Sequence, residues 1–330
     1  MKTETNNSRK DSESLRTRSN NFKTSCLGVL VAKKGFTLAE LITVVVIIAI
    51  LLGILMPALS QVKKIALEAK QKAQITSIEV GINMYRNDFG AYPPSHGTQT
   101  ATESVYYYCG AQTLTEAMFG WDLLGVHQNS IFRADGQDNS GNNLYPPGPN
   151  STELNARKEP YLDRTNIGVF TPRQIFNQTS FPAFPGGLDA DRYVICDVFS
   201  AASREINGKS YKVGTPVLYF QANLAPVNTQ GLIIASAPPD NKNNIYNYMD
   251  NNFLIELGKM TNTTTAHPLY TPPPYTGEPF YKYIVDPMIP AASGTVGMPV
   301  RKDTFLLISA GFDGLYGTKD DICNFNPNVQ

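Results

Sequence analysis

The chain has 330 residues, of which 42% are hydrophobic and 17% charged, so it can form a core and is not disordered throughout. Its 28 basic residues are balanced by 28 acidic ones, which argues against a nucleic-acid-binding domain, since such domains normally carry a basic excess. The four cysteines include no Cys-x-x-Cys pair, so their spacing fits neither a zinc ribbon nor a thioredoxin-type motif.

The N-terminal part of the chain changes from polar to apolar. Residues 1–32 are rich in Ser, Asn, Thr and basic residues and cannot form a core. Residues 41–59 then provide 19 positions without a charge. As a helix they would be about 28 Å long, close to the roughly 30 Å of a bilayer's hydrocarbon layer. The competing interpretation, a secretory signal peptide, usually has an apolar region of only about 7 to 15 residues. The pattern therefore favours a membrane helix, which an uncleaved signal anchor would also provide.

Beyond Ser60 the pattern stays helical but becomes amphipathic. Apolar side chains recur at spacings of three and four up to Phe89, and Gly90 ends the pattern. The sequence predicts one continuous helix over residues 36 to about 88, whose second half buries one stripe against a globular partner. Pro57 lacks a backbone donor and is expected to bend this helix near the membrane exit.

The predicted fold class is α+β, with the long helix packed on a small antiparallel sheet that carries long loops. Thr113 and Glu116 have the spacing of a capping box and predict a short helix that ends near Leu124. Segments rich in β-branched and aromatic residues predict strands at 192–199, 217–222 and 304–309.

The residues around the start of the apolar helix form a fixed pattern. Basic residues 33–34 precede Gly35 and Phe36, Glu40 follows as a lone acid, and then comes the apolar run that contains Pro57. This pattern resembles the class III signal of type IV pilins and type II secretion pseudopilins. The resemblance implies a pilin-like fold and cleavage between Gly35 and Phe36 by a prepilin peptidase, which also methylates the new amino group of Phe36.

Glu40 is expected to act in assembly. A carboxylate inside a membrane helix costs about 2.5 to 3.5 kcal/mol near the bilayer centre and needs a partner. Cleavage would create an ammonium group at Phe36, and in a filament the ammonium of a neighbouring subunit could meet the same carboxylate. The resemblance implies that this pairing sets subunit register, with Glu40 and Pro57 as assembly residues. The alternative is that Glu40 merely lies at the membrane interface, where a charge costs little.

Two further segments show weaker resemblances to major pseudopilins. Residues 85–95 resemble the end of their long helix, and residues 309–325 resemble their C-terminal calcium loop. Asp313, Asp320 and Asp321 would repel one another unless a cation or hydrogen-bond donors compensate. Ca²⁺ suits such a loop because it accepts six to eight oxygen ligands. These three residues are therefore the candidate calcium ligands, and the alternative is a pair of Asx turns with solvated acids.

The sequence contains no recognised catalytic motif. His96, His127 and His267 lie far apart without HExxH spacing, and there is no nucleophile elbow or P-loop. We therefore expect each histidine in a loop or at the surface, and a protein that is not an enzyme. Cleavage would leave three cysteines, which allow at most one disulfide of unspecified pairing: Cys109, Cys196 and Cys323.

The expected protein is a structural subunit of a type II secretion pseudopilus in the inner membrane, with a cytoplasmic leader and a periplasmic head. Its expected partners are the prepilin peptidase, further copies of itself, other pseudopilins, a platform protein and an assembly motor. The expected segments are a leader (1–35), a transmembrane polymerisation helix (36–59), its amphipathic continuation (60–90) and a head (91–330). Two alternatives stay open: a type IV pilus subunit for adhesion, motility or DNA uptake, and a membrane-anchored module that binds a surface polysaccharide.

The predicted cleavage would also divide the charge of the chain. Residues 1–35 hold eight basic and three acidic side chains, which leaves 20 basic and 25 acidic side chains in the cleaved subunit. The zero net charge therefore belongs to the precursor alone.

Overall fold

The computed structural model describes residues 35–97, 108–146, 154–176, 188–234 and 242–329. The predicted leader, apart from Gly35, lies outside the described residues. The chain divides between Met56 and Pro57 into two compact units, and helix α1 (Leu38–Phe89) begins in the first and ends in the second. The further elements are α2 (Gly110–Phe119), β1 (Val126–His127), β2 (Arg157–Lys158), β3 (Gly168–Phe170), α3 (Pro172–Phe176), β4 (Val194–Cys196), β5 (Ala202–Ile206), β6 (Lys209–Val213), β7 (Leu218–Gln221), a 3₁₀ turn (Tyr248–Asp250), α4 (Asn252–Glu256), α5 (Glu278–Tyr283), β8 (Phe305–Ser309) and β9 (Ile322–Cys323).

In the first unit α1 is apolar on every side. Residues 38–56 carry one charged side chain, that of Glu40, and all of them are exposed. Among the described helices, α1 alone is long and apolar enough to cross a membrane, and none of its most apolar window is buried. The prediction of one continuous helix is confirmed, and so is the mixed α+β class.

The core of the second unit forms on both faces of an antiparallel sheet with strand order β7, β8, β9. Leu218 lies opposite Ile308 in this sheet. Successive side chains of a strand point to opposite faces. Here Tyr219 joins one buried hydrophobic cluster, whereas Leu218 and Phe220 join another. Burial on both faces explains why the strand segments are apolar throughout instead of alternating with polar residues.

The second half of α1 lies on one of these clusters together with α2. Its inward stripe of Ile75, Ile78, Ile82 and Tyr85 is at most 5% exposed. Gly81 allows the close approach of α1 and α2, because a Cβ at this position would lie 2.8 Å from the Met118 sulfur. The predicted amphipathic half of the helix is thereby confirmed. The cluster on the other face of the sheet includes side chains from α4 and α5.

Two glutamines of α1 also bind the backbone at β4. Gln74 Nε2 donates to the Cys196 carbonyl at 2.8 Å. The backbone N–H of Val198 donates to Gln71 Oε1 at 2.9 Å. The helix therefore contacts the head through hydrogen bonds as well as through its apolar stripe.

The three predicted strands are confirmed as β4, β7 and β8, but the predicted start and end of α2 were wrong. The helix begins at Gly110, with Cys109 as its N-cap, and ends at Phe119. The hydroxyl of Thr113 instead donates to the Pro94 carbonyl at 2.6 Å. Glu116 is fully buried within the helix. Thr113 and Glu116 therefore do not cap a helix, because both side chains make contacts with other parts of the head instead.

A hairpin that the sequence analysis missed joins β5 and β6. Asn207 and Gly208 form its turn, with φ angles of 51° and 74°. Two consecutive positive φ angles are typical of a type I′ turn, for which Asn-Gly is the preferred sequence. The Asn-Gly pair was the signal, but the flanking strands are largely exposed and carry no apolar run.

Candidate functional site

The start of α1 is closed by a capping box between Thr37 and Glu40. The backbone N–H and the hydroxyl of Thr37 both donate to Glu40 Oε2, at 2.8 and 2.9 Å. In return the Glu40 N–H donates to Thr37 Oγ1 at 3.2 Å. This reciprocal pattern satisfies N–H groups that have no partner within the helix. The Thr-x-x-Glu spacing is the sequence signal for this capping role. The sequence analysis assigned Glu40 to assembly only and did not predict the cap.

The cap holds the Glu40 carboxylate beside the peptide bond that the resemblance marks for cleavage. Gly35 and Phe36 directly precede the cap, and the Phe36 side chain is 85% exposed. A Cβ added at Gly35 would meet no atom within 4 Å. The hydrogen bonds of the cap use only Oε2, which leaves Glu40 Oε1 for a donor from elsewhere. The geometry is therefore compatible with processing at Gly35–Phe36 and with a second partner for Glu40.

Helix α1 continues without a break through Pro57, the first residue of the second unit. Its carbonyl accepts a hydrogen bond from the Ser60 hydroxyl at 2.8 Å. Pro57 therefore ends neither the helix nor its exposed apolar surface, because Leu59, Val62 and Ile65 beyond it are also exposed.

Asp313 and Asp320 lie next to each other in the C-terminal loop. The Asp313 N–H donates to Asp320 Oδ2 at 2.9 Å, and the Leu315 N–H donates to Asp313 Oδ1 at 2.7 Å. The Thr318 hydroxyl donates to Asp320 Oδ1 at 2.6 Å. Partial burial raises the pKa of Asp313. Protein donors thus already compensate part of the negative charge of this pair.

Asp321 has a different set of partners. Its Oδ2 accepts hydrogen bonds from the Tyr283 hydroxyl at 2.6 Å and from the Gly317 N–H at 2.7 Å. Burial raises the pKa of Asp321 to about 7. Within the described residues, no group of three or more His, Cys, Asp or Glu side chains is arranged to hold a metal ion. An ion bound by all three predicted ligands would have to compete with the contacts of Asp321, and calcium binding stays a prediction.

Calcium titration of the full chain in detergent tests this prediction. Because carboxylate oxygens are the preferred ligands of Ca²⁺, we expect Ca²⁺ to raise the melting temperature of the head. The double variant Asp313→Asn/Asp320→Asn should lose this rise, and the matched change Asp135→Asn/Asp138→Asn in another Asp-containing loop should keep it. No rise in the parent chain, or an equal rise in the Asp313/Asp320 variant, would contradict the prediction.

The three cysteines of the described chain are free thiols. Cys109 and Cys196 are buried, and Cys323 is partly buried with its sulfur 3.2 Å from the Tyr283 hydroxyl. Burial raises the pKa of all three thiols. Reactive thiolates are therefore disfavoured at these positions.

His127 lies buried in β1, which corrects the expectation of a loop or surface position, whereas His267 lies in a loop as expected, although it is buried. His127 is 4% exposed and His267 is 3% exposed. His267 Nδ1 accepts the Tyr316 N–H at 3.1 Å, and burial lowers the pKa of His267 to about 4. A lone histidine carries no sequence signal for such burial. His96 is exposed, as expected.

Glu116 is the centre of a buried polar network that sequence analysis did not find. Its carboxylate accepts hydrogen bonds from the hydroxyls of Tyr108 (2.6 Å), Ser130 (2.5 Å) and Tyr145 (3.1 Å). Burial raises the pKa of Glu116. The partners lie up to 29 residues away in sequence, so no local motif marks them. Each polar group is satisfied, which is the usual condition for a polar network inside a core.

Asp197 is a second buried carboxylate, directly after β4. Its Oδ1 accepts the N–H groups of Phe199 and Thr215, each at 3.1 Å. Its Oδ2 accepts a longer bond from the Ser309 hydroxyl at 3.4 Å. Gly214 is required beside it, because a Cβ there would lie 2.1 Å from the Asp197 carbonyl oxygen. Burial raises the pKa of Asp197 to about 7.

We compared the chain with protein-family models, with curated proteins and with solved structures. None of the three comparisons found a match.

Proposed function

We propose that this chain is a structural subunit of a type II secretion pseudopilus, with a pilin-like head and an α1 that is both membrane anchor and polymerisation segment. One observation carries the proposal. Residues 38–56 form a helix whose side chains are all exposed and almost all apolar, and its single charge, on Glu40, lies in the cap next to Gly35 and Phe36. A water-soluble enzyme would bury such a segment.

The exposed apolar helix provides a physical route to assembly. In the bilayer its side chains contact lipid, and in a filament they would contact sister helices, which are equally apolar. A subunit can thus pass from membrane to filament without unfolding its head. The proposed leader is cytoplasmic, the head is periplasmic, and a platform protein and a motor move the subunit between the two states.

Processing at Gly35 is the first test. The chain is expressed with a prepilin peptidase, and the N-terminus of the product is determined by mass spectrometry. We expect a product that begins with N-methylated Phe36 and lacks residues 1–35. Gly35→Val should reduce the cleaved product at least tenfold, because a branched side chain would stand at the bond that the peptidase must reach.

Gly53→Val is the matched control. Gly53 lies in the same apolar segment, and an added Cβ there also meets no atom within 4 Å. This variant should be cleaved like the parent chain. Normal cleavage of Gly35→Val, or a parent chain that keeps its leader, would show that the processing proposal is wrong.

A deletion strain separates the pseudopilus from the type IV pilus. Loss of protein export that is restored by the parent chain would support the pseudopilus. Intact export together with loss of twitching motility or DNA uptake would assign the subunit to a pilus instead.

A further inference from the structure

The head contains a pocket that the proposed function does not use. It has a volume of about 650 Å³ and is lined by residues from the segments 95–96, 221–227 and 242–250. Small-molecule sites in proteins typically enclose about 300 to 1,000 Å³. None of the residues that line the pocket belongs to the start of α1 or to the C-terminal loop. The pocket is therefore a feature of the head that needs an explanation of its own.

Asp250 lies at the buried end of this pocket and lacks one hydrogen bond. The residue is 5% exposed, and its Oδ2 accepts a hydrogen bond from the Ser95 hydroxyl. Its Oδ1 has no hydrogen-bond partner among the described residues. His96 Nδ1 lies 3.6 Å from Oδ1, which is too far for a hydrogen bond. Because a buried acceptor without a donor costs free energy, a ligand that brings a donor would be stabilised here.

His96 controls access to this carboxylate. Asp250 Oδ1 is shielded from water, whereas the neighbouring imidazole lines the pocket and is 50% exposed. Exposed side chains change rotamer within picoseconds to nanoseconds. A ligand group can therefore reach Oδ1 when the imidazole turns aside, without a change in the backbone.

Most of the polar side chains that line the pocket are amides. An amide side chain both donates and accepts hydrogen bonds, as a hydroxyl group does. The wall is held in place by bonds of its own, since Asn244 Oδ1 accepts the Ile233 N–H at 3.0 Å and Asn244 Nδ2 donates to the Ile233 carbonyl at 2.8 Å. The pocket thus matches a ligand with several hydroxyl groups. Its amide residues are Gln221, Asn223, Asn243, Asn244 and Asn247.

The charges and the rim of the pocket favour a neutral ligand of mixed polarity. Of the described residues that line it, Asp250 alone carries a carboxylate and Lys242 alone an ammonium group, so these two charges cancel. At the rim, Leu224 is 72% exposed and Val227 is 75% exposed. A sugar ring has C–H groups that can cover such apolar side chains, and hydroxyls that can bind amides and a carboxylate. Carbohydrate is therefore the ligand class that fits both parts of the pocket.

We propose that this pocket binds a neutral carbohydrate, and that Asp250 accepts a hydrogen bond from one of its hydroxyls. Hydrogen bonds to an ionised acceptor are roughly twice as strong as those between neutral groups. The inference goes beyond the proposed function and does not depend on it. A pseudopilus subunit, a pilus subunit and an anchored binding module could each carry such a site on the head.

Saturation-transfer NMR with the full chain tests the inference. The chain is kept in a detergent without a sugar headgroup at pH 8, because burial raises the pKa of Asp250 to about 6 and the carboxylate is then ionised. The probes are glucose, galactose, mannose and N-acetylglucosamine at millimolar concentration. We expect saturation transfer to at least one of them. Asp250→Asn should weaken its binding by about tenfold, because the sugar hydroxyl loses a charged acceptor.

Asp197→Asn is the matched control, because Asp197 is also 5% exposed and does not line the pocket. It should bind the sugar like the parent chain. Ala225→Trp, at an exposed position of the pocket wall, should abolish binding because the indole fills the pocket. Ala291→Trp, at an exposed position elsewhere on the head, should not. Melting followed by circular dichroism shows whether each variant is folded.

Three outcomes would overturn the inference. The first is the absence of saturation transfer from the parent chain to any of the four sugars. The second is equal affinity for the sugar in the parent chain, Asp250→Asn and Ala225→Trp. The third is binding of ethanolamine or inorganic phosphate without binding of a sugar, which would show a site that selects for charge. Cleavage at Gly35 is measured separately, so each of these outcomes leaves the proposed function in place.

Discussion

Replacing Glu40 by Gln is expected to stop filament assembly while the start of α1 stays capped. Gln can take the place of Glu in a capping box, because its side-chain oxygen also accepts the N–H of the N-cap residue. The substitution therefore keeps the bonds to Thr37 and removes only the negative charge. Glu40→Ala, in contrast, removes both the hydrogen bonds to Thr37 and the negative charge.

The capping role and the charge-pairing role of Glu40 differ in free energy by enough for an assembly assay to separate them. Loss of a helix cap typically costs about 1 kcal/mol, which corresponds to roughly a fivefold change in an equilibrium constant. A carboxylate and an ammonium group about 4 Å apart attract each other by up to about 4 kcal/mol at an effective dielectric constant near 20. Loss of that pair corresponds to roughly a thousandfold change. If the proposed pairing holds, Gln should therefore be almost as harmful as Ala.

Thr37→Ala supplies the complementary control, since it removes the capping hydroxyl and keeps the charge of Glu40. We expect it to reduce assembly by about fivefold. Filaments sheared from cells and quantified by immunoblot give the measurement, and the amount of cleaved subunit in the membrane shows that insertion is intact. Normal assembly of Glu40→Gln with failure of Thr37→Ala would mean that Glu40 acts only as a cap.

Replacing Asp197 by Asn is expected to stabilise the head above pH 7. Asn has the same shape, its Oδ1 can accept both N–H groups that now bind Asp197 Oδ1, and its amide can donate to the Ser309 hydroxyl. The variant thus keeps the hydrogen bonds and removes a charge from a site that is 5% exposed. Burying an ionised carboxylate without a cation beside it is costly.

The pH dependence follows from the raised pKa. Burial raises the pKa of Asp197 to about 7, whereas an unfolded Asp titrates near 3.9. Between these values the folded state holds a proton that the unfolded state has lost, so stability falls as the pH rises from about 4 to 7. The full difference corresponds to roughly 4 kcal/mol. Asp321, with a pKa that burial raises to about 7, contributes a fall of the same sign.

Urea unfolding followed by Trp121 fluorescence at pH 4, 6 and 8 measures the effect. Asp197→Asn should match the parent chain at pH 4 and exceed its stability by up to about 4 kcal/mol at pH 8. Asp303→Asn, at a side chain that is 73% exposed, should leave the pH profile unchanged. A profile for Asp197→Asn that runs parallel to that of the parent chain would show that Asp197 does not carry the dependence.

Local patterns in the sequence predicted the elements whose structure is determined locally. The periodicity of α1 and the apolar runs of β7 and β8 were sufficient to predict these elements, because the side chains of each segment largely determine its own secondary structure. The start of α2 was mispredicted because tertiary contacts of Thr113 and Glu116 outweigh the capping tendency of this pair. The buried carboxylates were missed for the same reason, since their donors come from distant parts of the chain.

The candidate site likewise contains features that the sequence predicts and features that it does not. Gly35, Phe36 and Glu40 lie within six consecutive residues, so their position at a helix start could be predicted, although the role of Thr37 was overlooked.

The hydrogen bonds of Gln71 and Gln74 have a mechanical consequence. In the proposed filament, a force along α1 would be transmitted to the head. Part of that force would pass through the hydrogen bonds from Gln74 to the Cys196 carbonyl and from the Val198 N–H to Gln71, next to a strand that is paired with β3. Because α1 could slide along the head only by breaking both hydrogen bonds, they would hold the head to a moving helix more firmly than the apolar contact alone.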